Sequence, residues 1–128
     1  MTKFSILLVD DDLINRKLIK AMLAHHKDIV DNIIEATNGA QALELIECND
    51  SINLVLLDIF MPILDGKGFL KAFRSKKNNA NTPVIVLTTD DSIVSEVINY
   101  GADDVMVKPI KEEELLHKIN YWIDNKEQ

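Results

Sequence analysis

Five residues that could act together chemically each follow a short apolar run typical of a buried strand. Asp10 and Asp11 follow FSILLV, Asp58 follows NLVLL, Thr88 follows PVIVL, and Lys108 follows VMV. In an open parallel α/β sheet the carboxyl ends of the strands form the ligand-binding edge, so residues that follow different strands meet there. The spacing therefore predicts one cluster of three carboxylates, a hydroxyl and an amine.

Such a cluster is suited to a hard cation and a phosphoryl group. Three neighbouring carboxylates repel one another, so at least one of their pKa values should be raised when no cation is bound. Mg²⁺ would relieve that repulsion, because it binds through a few carboxylates, water and a phosphate oxygen. A carboxylate left free could attack phosphorus, while Lys108 pairs with one phosphoryl oxygen and Thr88 donates to another.

The elements that must position these residues alternate along the chain. Strands are predicted at 4–9, 32–36, 53–57, 83–87 and 104–107, and helices at 13–26, 39–48, 67–76, 91–100 and 111–124. The runs at 53–57 and 83–87 are almost continuously apolar, as in parallel strands covered on both faces. Five β/α repeats with short connections predict an α/β fold with a doubly wound, five-stranded parallel sheet in a three-layer sandwich.

Two helices carry more specific predictions. In the first, Ile14, Leu18 and Met22 recur every four residues and predict one stripe buried against the sheet. In the fourth, apolar residues lie on more than one side, which predicts a partner surface but leaves open that all of them are core. These residues are Ile93, Val94, Val97, Ile98 and Tyr100.

Length, composition and charge limit the possible classes of protein. The chain has 128 residues, which predicts a single globular domain, and its net charge of −7 argues against a nucleic-acid surface. The basic residues between Lys71 and Lys77 are interpreted as a helix end and a solvated loop. Cys48 is the only cysteine, so no disulfide framework exists. No signal peptide or membrane span is indicated, and a cytoplasmic location is expected.

The motifs around the five residues resemble those of response-regulator receiver domains of two-component signalling. They are ILLVDDD at 6–12, LLDIFMPILDG at 56–66, VIVLTTD at 84–90 and VMVKP at 105–109. Each motif alone is a weak signal, but together, in order and at strand ends, they are a strong one. The resemblance covers essentially all of 1–128 and implies one receiver domain with flavodoxin-like (βα)₅ strand order 2-1-3-4-5.

The resemblance also implies a role for each acidic residue. Asp58 matches the phosphoacceptor, and Asp10 and Asp11 match the acidic pair that holds Mg²⁺ together with Asp58. The backbone carbonyl of Phe60 is implied as the remaining protein ligand of the metal. The implied function is Mg²⁺-dependent transfer of a phosphoryl group from phosphohistidine to Asp58. On this basis the chain is not an enzyme in the usual sense, because it acts only on its own aspartate.

The switch residues follow from the same resemblance. Thr88 matches the switch hydroxyl, Lys108 matches the phosphate-pairing lysine, and the Lys108–Pro109 bond is implied to be cis. Signals then pass to the surface of the fourth helix, fifth strand and fifth helix. Val105 departs from the pattern, because relatives usually carry an aromatic side chain there. Since valine is small and stiff at χ1, this departure favours a phosphorelay intermediate as the alternative role.

The partners implied are a histidine kinase or a histidine phosphotransfer domain, together with a downstream protein target that the sequence does not name. No nucleic acid and no membrane is expected to bind this domain. The chain is expected to be a monomer, or a dimer that forms on phosphorylation.

Other interpretations remain open at this point. Asp10 to Asp12 could be an acidic helix cap, and MPILDG only a turn. A flavodoxin-type protein would need a phosphate loop rich in Ser, Thr or Gly where the acids stand. A haloacid-dehalogenase-like phosphohydrolase would carry Thr or Val at Ile14, four residues after its nucleophile. An inactive interaction module would normally have lost one of the five residues.

Overall fold

Five parallel strands form one sheet in the order β2-β1-β3-β4-β5. The structure is a computed structural model that describes residues 4–49 and 51–125. The strands are β1 (Phe4–Val9), β2 (Val30–Ala36), β3 (Ile52–Asp58), β4 (Val84–Thr88) and β5 (Asp104–Val107). The helices are α1 (Leu13–Ala24), α2 (Gly39–Cys48), α3 (Gly66–Arg74), α4 (Val94–Asn99) and α5 (Glu112–Asn125). The predicted strand order and the doubly wound α/β class are confirmed.

Each face of the sheet is covered by helices. Leu7 and Val9 of β1 pack on the side of α2, α3 and α4, whereas Ile6 and Leu8 pack on the side of α1 and α5. Alternate residues of a strand point to opposite faces, so a strand with core on both sides must be apolar throughout. This explains the continuous apolar runs, and it leaves polar residues only at the strand ends.

Helix boundaries differ from the predicted ones where side chains form local turns. Instead of one helix over 91–100, a 3-10 turn at Asp91–Ile93 precedes α4. The cause is Asp90, whose Oδ1 accepts hydrogen bonds from the N–H and the hydroxyl of Ser92, at 2.9 and 2.6 Å. Such a side-chain turn competes with regular helix. Within the described part of the chain, no helix is long and apolar enough to span a membrane.

The predicted buried stripe of the first helix is wrong at Ile14 and Leu18, whereas Met22 is half-buried and packs against the core. Ile14 and Leu18 are 67% and 55% exposed, and the buried residues of α1 are Ile19 and Leu23. Asp12 fixes the start of the helix by accepting a hydrogen bond from the Ile14 N–H. The face of α1 that meets the sheet carries Ile19 and Leu23, whereas Ile14 and Leu18 lie on the neighbouring, outer face. The helix therefore presents apolar side chains to solvent.

The five apolar residues within and beside α4 divide between core and surface. Ile93 and Val97 are buried, Val94 and Tyr100 are half-buried, and Ile98 is exposed. The interpretation that all five are core is therefore wrong for Ile98. The predicted partner surface on α4 is reduced to the side that carries this residue.

Arg74 is a structural anchor and not part of a solvated basic segment. Its guanidinium donates to the carbonyls of Asn79, Thr82 and Gly101 and to the Asp103 carboxylate, at 2.7–2.9 Å. These bonds tie the end of α3 to the loops before β4 and β5. The predicted interpretation of this segment as a solvated loop is corrected at Arg74, because its charge is used inside the fold.

Candidate functional site

Three carboxylates meet at the carboxyl edge of the sheet, as predicted. Asp10, Asp11 and Asp58 each offer an oxygen, and these oxygens lie within 4.8 Å of one another. Asp10 follows β1 and Asp58 ends β3, and these two strands are direct neighbours in the sheet. Asp10 and Asp58 are buried, whereas Asp11 is exposed. The strand register alone therefore places two buried acids side by side.

One oxygen of the Asp10 carboxylate accepts no hydrogen bond. Its Oδ1 accepts a hydrogen bond from the Asp12 N–H at 2.9 Å. Its Oδ2 is buried and has no hydrogen-bond partner, and it lies 3.5 Å from Lys108 Nζ. A buried anionic oxygen without a donor is costly, and a divalent cation would satisfy it. Mg²⁺ takes one or two carboxylates plus water, so this donor set fits that ion.

Arg16 supports the acidic loop and was missed by the sequence reasoning. Its Nη1 donates to the backbone carbonyl of Asp10 at 2.8 Å, and its Nε donates to Glu35 Oε1 at 3.0 Å. Lys20 also pairs with Glu35 at 3.0 Å. Hydrogen bonding from Lys20 lowers the pKa of Glu35, and Arg16 acts in the same direction. No local pattern links residues of α1 and β2, so this contact follows only from the fold.

Lys108 bridges the two buried acids. Its Nζ lies 3.5 Å from Asp58 Oδ1 and 3.5 Å from Asp10 Oδ2. The backbone fixes this position, because the Lys108 N–H donates to the Thr88 carbonyl at 2.7 Å. The Lys108–Pro109 bond is cis, as the resemblance implied. The amine therefore faces the place where a phosphoryl group on Asp58 would lie.

Thr88 lies at the same edge, on the strand beside Asp58. Asp58 is paired with Leu87 in the parallel register, so Thr88 stands one residue further along β4. It is buried, and its Oγ1 accepts a hydrogen bond from the Asp90 N–H at 3.1 Å. The hydroxyl proton remains free to be donated elsewhere. The predicted hydroxyl is thus in place, and its partner is the loop that leads into α4.

The loop after β3 is held tightly at both ends. The Gly66 N–H donates to the Ile59 carbonyl, and the Gly39 N–H donates to the Leu64 carbonyl, both at 2.8 Å. A Cβ at Gly66 would lie 2.7 Å from the Asp58 carbonyl oxygen, so only glycine fits there. Phe60 lies near the start of this loop, and its side chain is 59% exposed. The role of its carbonyl as a metal ligand stays a prediction.

The electrostatics of the site match the predicted repulsion. Burial, together with the negative charge of Asp10, raises the pKa of Asp58 to about 6, although Lys108 acts in the opposite direction. When no cation is bound, the ionised form of Asp58 is therefore strained by burial and by the charge of Asp10. A divalent cation at the cluster would relieve that strain.

Comparison with known proteins identifies the family. Residues 6–120 match the response regulator receiver domain family, and the chain belongs to it. It is 42% identical over 116 residues to the transcriptional regulatory protein CpxR of Escherichia coli K12, covering 89% of this chain and 47% of CpxR. It is 36% identical over 113 residues to the two-component response regulator-like APRR7 of Arabidopsis thaliana, covering 86% of this chain and 15% of APRR7. The chain thus spans about half the length of CpxR and much less of APRR7.

Solved structures support the same fold. The receiver domain of the sensor histidine kinase PA1611 from Pseudomonas aeruginosa PAO1 has a TM-score of 0.85 and 28% identity, covering 97% of this chain and 100% of that one. That structure holds a magnesium ion coordinated in the active-site cleft. The chemotaxis response regulator CheY4 of Vibrio cholerae has a TM-score of 0.83 and 27% identity, covering 94% of this chain and 99% of CheY4.

Asp58→Asn should stabilise the metal-free protein at neutral pH. Because the folded-state pKa of Asp58 is raised to about 6, its protonation favours the fold fully below about pH 4. That stabilisation is lost as the pH rises through 6. At pH 7.5 the amide should therefore add about 1–3 kcal/mol to the free energy of unfolding, since one pKa unit corresponds to about 1.4 kcal/mol.

Urea unfolding in the presence of a chelator, at pH 7.5 and at pH 4, measures this difference. Asp31→Asn, an exposed aspartate at the other end of the sheet on β2, serves as the control. An Asp58→Asn protein that is no more stable than wild type at pH 7.5, or equally stabilised at both pH values, would contradict the proposed strain.

Proposed function

We propose that this receiver domain takes a phosphoryl group from a phosphohistidine onto Asp58, with Mg²⁺ bound by Asp10, Asp11 and Asp58. The observation that carries this proposal is the buried Asp10 Oδ2, which accepts no hydrogen bond and faces the same Lys108 ammonium as Asp58. The Asp58 carboxylate, Asp10 Oδ2 and the Lys108 ammonium together could bind a cation and a phosphoryl group. A purely structural acidic cap would have no use for such an arrangement.

In the transfer, an oxygen of the ionised Asp58 attacks phosphorus while the bond from phosphorus to the imidazole nitrogen breaks. The electron pair of that bond stays on the departing imidazole, and the product is an aspartyl phosphate. Lys108 pairs with a phosphoryl oxygen of the product, and Thr88 donates its hydroxyl proton to another. Mg²⁺ held by Asp10, Asp11 and Asp58 would supply positive charge beside the phosphoryl group. The chain turns over no external substrate, unlike a phosphohydrolase.

The donor protein is proposed to dock on α1 and on the loop between β5 and α5. A groove of about 450 Å³ lies there, lined in part by Leu18, Met22, Pro109 and Ile110. Lys108 lies at the same groove, so it is continuous with the site. The exposed apolar face of α1, which the sheet does not use, would be covered by such a partner.

The output surface is proposed to be the side formed by α4, β5 and α5. Ile98 of α4, Val107 of β5 and Tyr121 of α5 are exposed. Thr88 contacts the loop that leads into α4 through its bond to Asp90. If the hydroxyl turns to a phosphoryl group on Asp58, that bond is lost and the loop is released.

The central experiment is phosphorylation of Asp58 by acetyl phosphate with Mg²⁺, followed by intact-mass analysis. We expect one phosphoryl adduct on wild type and on Asp31→Asn, and none on Asp58→Asn, because an amide is not a competent nucleophile. Asp11→Ala should weaken Mg²⁺ binding in calorimetry at least about tenfold, since few protein ligands hold this ion. An adduct on Asp58→Asn, or unchanged Mg²⁺ binding by Asp11→Ala, would refute the assignment.

A phosphorelay intermediate is the second candidate role, and Val105 favours it. Val105 is half-buried against the core on the α2, α3 and α4 side, so no large aromatic side chain moves there on phosphorylation. A relay would pass the phosphoryl group from Asp58 to a histidine of another protein. Radiolabel that moves from the phosphorylated chain to a histidine phosphotransfer domain would support this role. Label lost only as inorganic phosphate would support the output switch.

Phe60→Asn should shorten the life of the aspartyl phosphate. Hydrolysis needs a water in line with the bond that breaks, and the exposed Phe60 ring stands two residues after Asp58. Asp90 could orient such a water, but its Oδ1 is already engaged by Ser92. Since about 1.4 kcal/mol corresponds to a tenfold change in rate, we expect decay about three to ten times faster.

Decay is followed by mass analysis after the acetyl phosphate is removed. Thr89→Ala tests the second exposed residue beside the site, and Ile98→Asn on α4 is the control. Equal decay of wild type, Phe60→Asn and Thr89→Ala would show that neither side chain shields the phosphoryl group.

A further inference from the structure

Ile63 occupies a strained turn in the loop after β3. Its φ is +70°, and it is the one non-glycine residue of the described chain with a positive φ. The Leu64 N–H donates to the Pro62 carbonyl at 2.8 Å, which closes a three-residue γ-turn around Ile63. The γ-turn with positive φ is the rare and strained form, and a β-branched residue is a genuine outlier in this region.

Packing within the fold does not compensate for this strain. The Ile63 side chain is 83% exposed, so it buries little apolar surface. The turn itself is imposed by the anchored Leu64 and Gly66 on one side and Ile59 on the other. Asparagine or glycine would adopt the same backbone at lower cost. The folded chain alone therefore gives no reason for an isoleucine at this position.

Exposed apolar residues follow both of the strands that carry the buried acids. Phe60 and Ile63 follow Asp58 on the loop after β3, while Leu13 and Ile14 follow the acids after β1. In-line transfer requires the donor imidazole to lie opposite the Asp58 oxygen. The protein that carries this imidazole must then cover the surroundings of Asp58.

Charge at this edge indicates what the covering surface carries. Asp11 and Asp12 are exposed on one side and Asp65 on the other, in a chain of net charge −7. Complementary potential favours association and selects between partners. A surface with apolar residues near its histidine and lysine or arginine at the rim fits this edge.

We infer that Ile63 is a docking residue for the histidine phosphodonor protein, retained at the expense of the stability of the free domain. This inference rests on the proposed function and adds to it one residue that sets donor recognition. Ile63 does not touch the reacting atoms, so a small donor such as acetyl phosphate should not depend on it. The two kinds of donor therefore separate docking from chemistry.

The test compares Ile63→Asn, Ile63→Leu and wild type, with Asp31→Asn on the exposed start of β2 as the control for a surface substitution away from Asp58. Ile63→Asn should raise Tm by about 2–6 °C, because asparagine tolerates positive φ. Its phosphorylation by a protein donor should fall about tenfold, as for loss of an interface contact. Labelling by acetyl phosphate should stay within about twofold of wild type, since this donor makes no interface. Ile63→Leu keeps an apolar side chain and should keep transfer from the protein donor.

The protein donor is a purified histidine phosphotransfer domain, phosphorylated with phosphoramidate and freed of it. It is chosen from those of the source organism as the one that labels the wild-type chain fastest. Transfer to Ile63→Asn at the wild-type rate overturns the docking role, as does a lower Tm or an equal loss with acetyl phosphate. If no such donor labels wild type although acetyl phosphate does, the proposed transfer from phosphohistidine is overturned, and the docking role with it. Failure of acetyl phosphate to label wild-type Asp58 instead overturns the proposed function.

Discussion

The site depends on the parallel pairing of β1 with β3. This register brings Asp10 and Asp58 together as buried neighbours at the end of the sheet. Lys108 supplies one ammonium, whose Nζ lies 3.5 Å from an oxygen of each carboxylate. Because one ammonium lies beside two buried carboxylates, this edge of the sheet has an excess of negative charge. The metal affinity proposed for this domain follows from that imbalance.

Regular features of the sequence were predicted well, and those set by contacts between elements were not. The continuous apolar runs at 53–57 and 83–87 identified central strands, because only such strands have core on both faces. The stripe was misassigned at Ile14 and Leu18, since its spacing defines a face but not the direction in which that face points. The direction is set by the packing of Ile19 and Leu23 against the sheet.

The candidate site shows the same division. The acids, Thr88 and Lys108 were found because each follows an apolar run, and strand ends converge in this architecture. Arg16 and Glu35 were not found, because their contact joins two elements whose separation only the fold sets. The strain at Ile63 was equally invisible, since the letters MPILDG indicate a turn but not the sign of φ.

Because the pKa of Asp58 is raised, a proton and a metal ion compete for this carboxylate. With the pKa of Asp58 raised to about 6, a proton bound to this carboxylate must leave before it can bind a metal. Metal uptake there would release acid into the medium, and the heat of binding would vary with the ionisation enthalpy of the buffer. The occupied fraction of sites would in turn depend on pH as well as on the concentration of free magnesium.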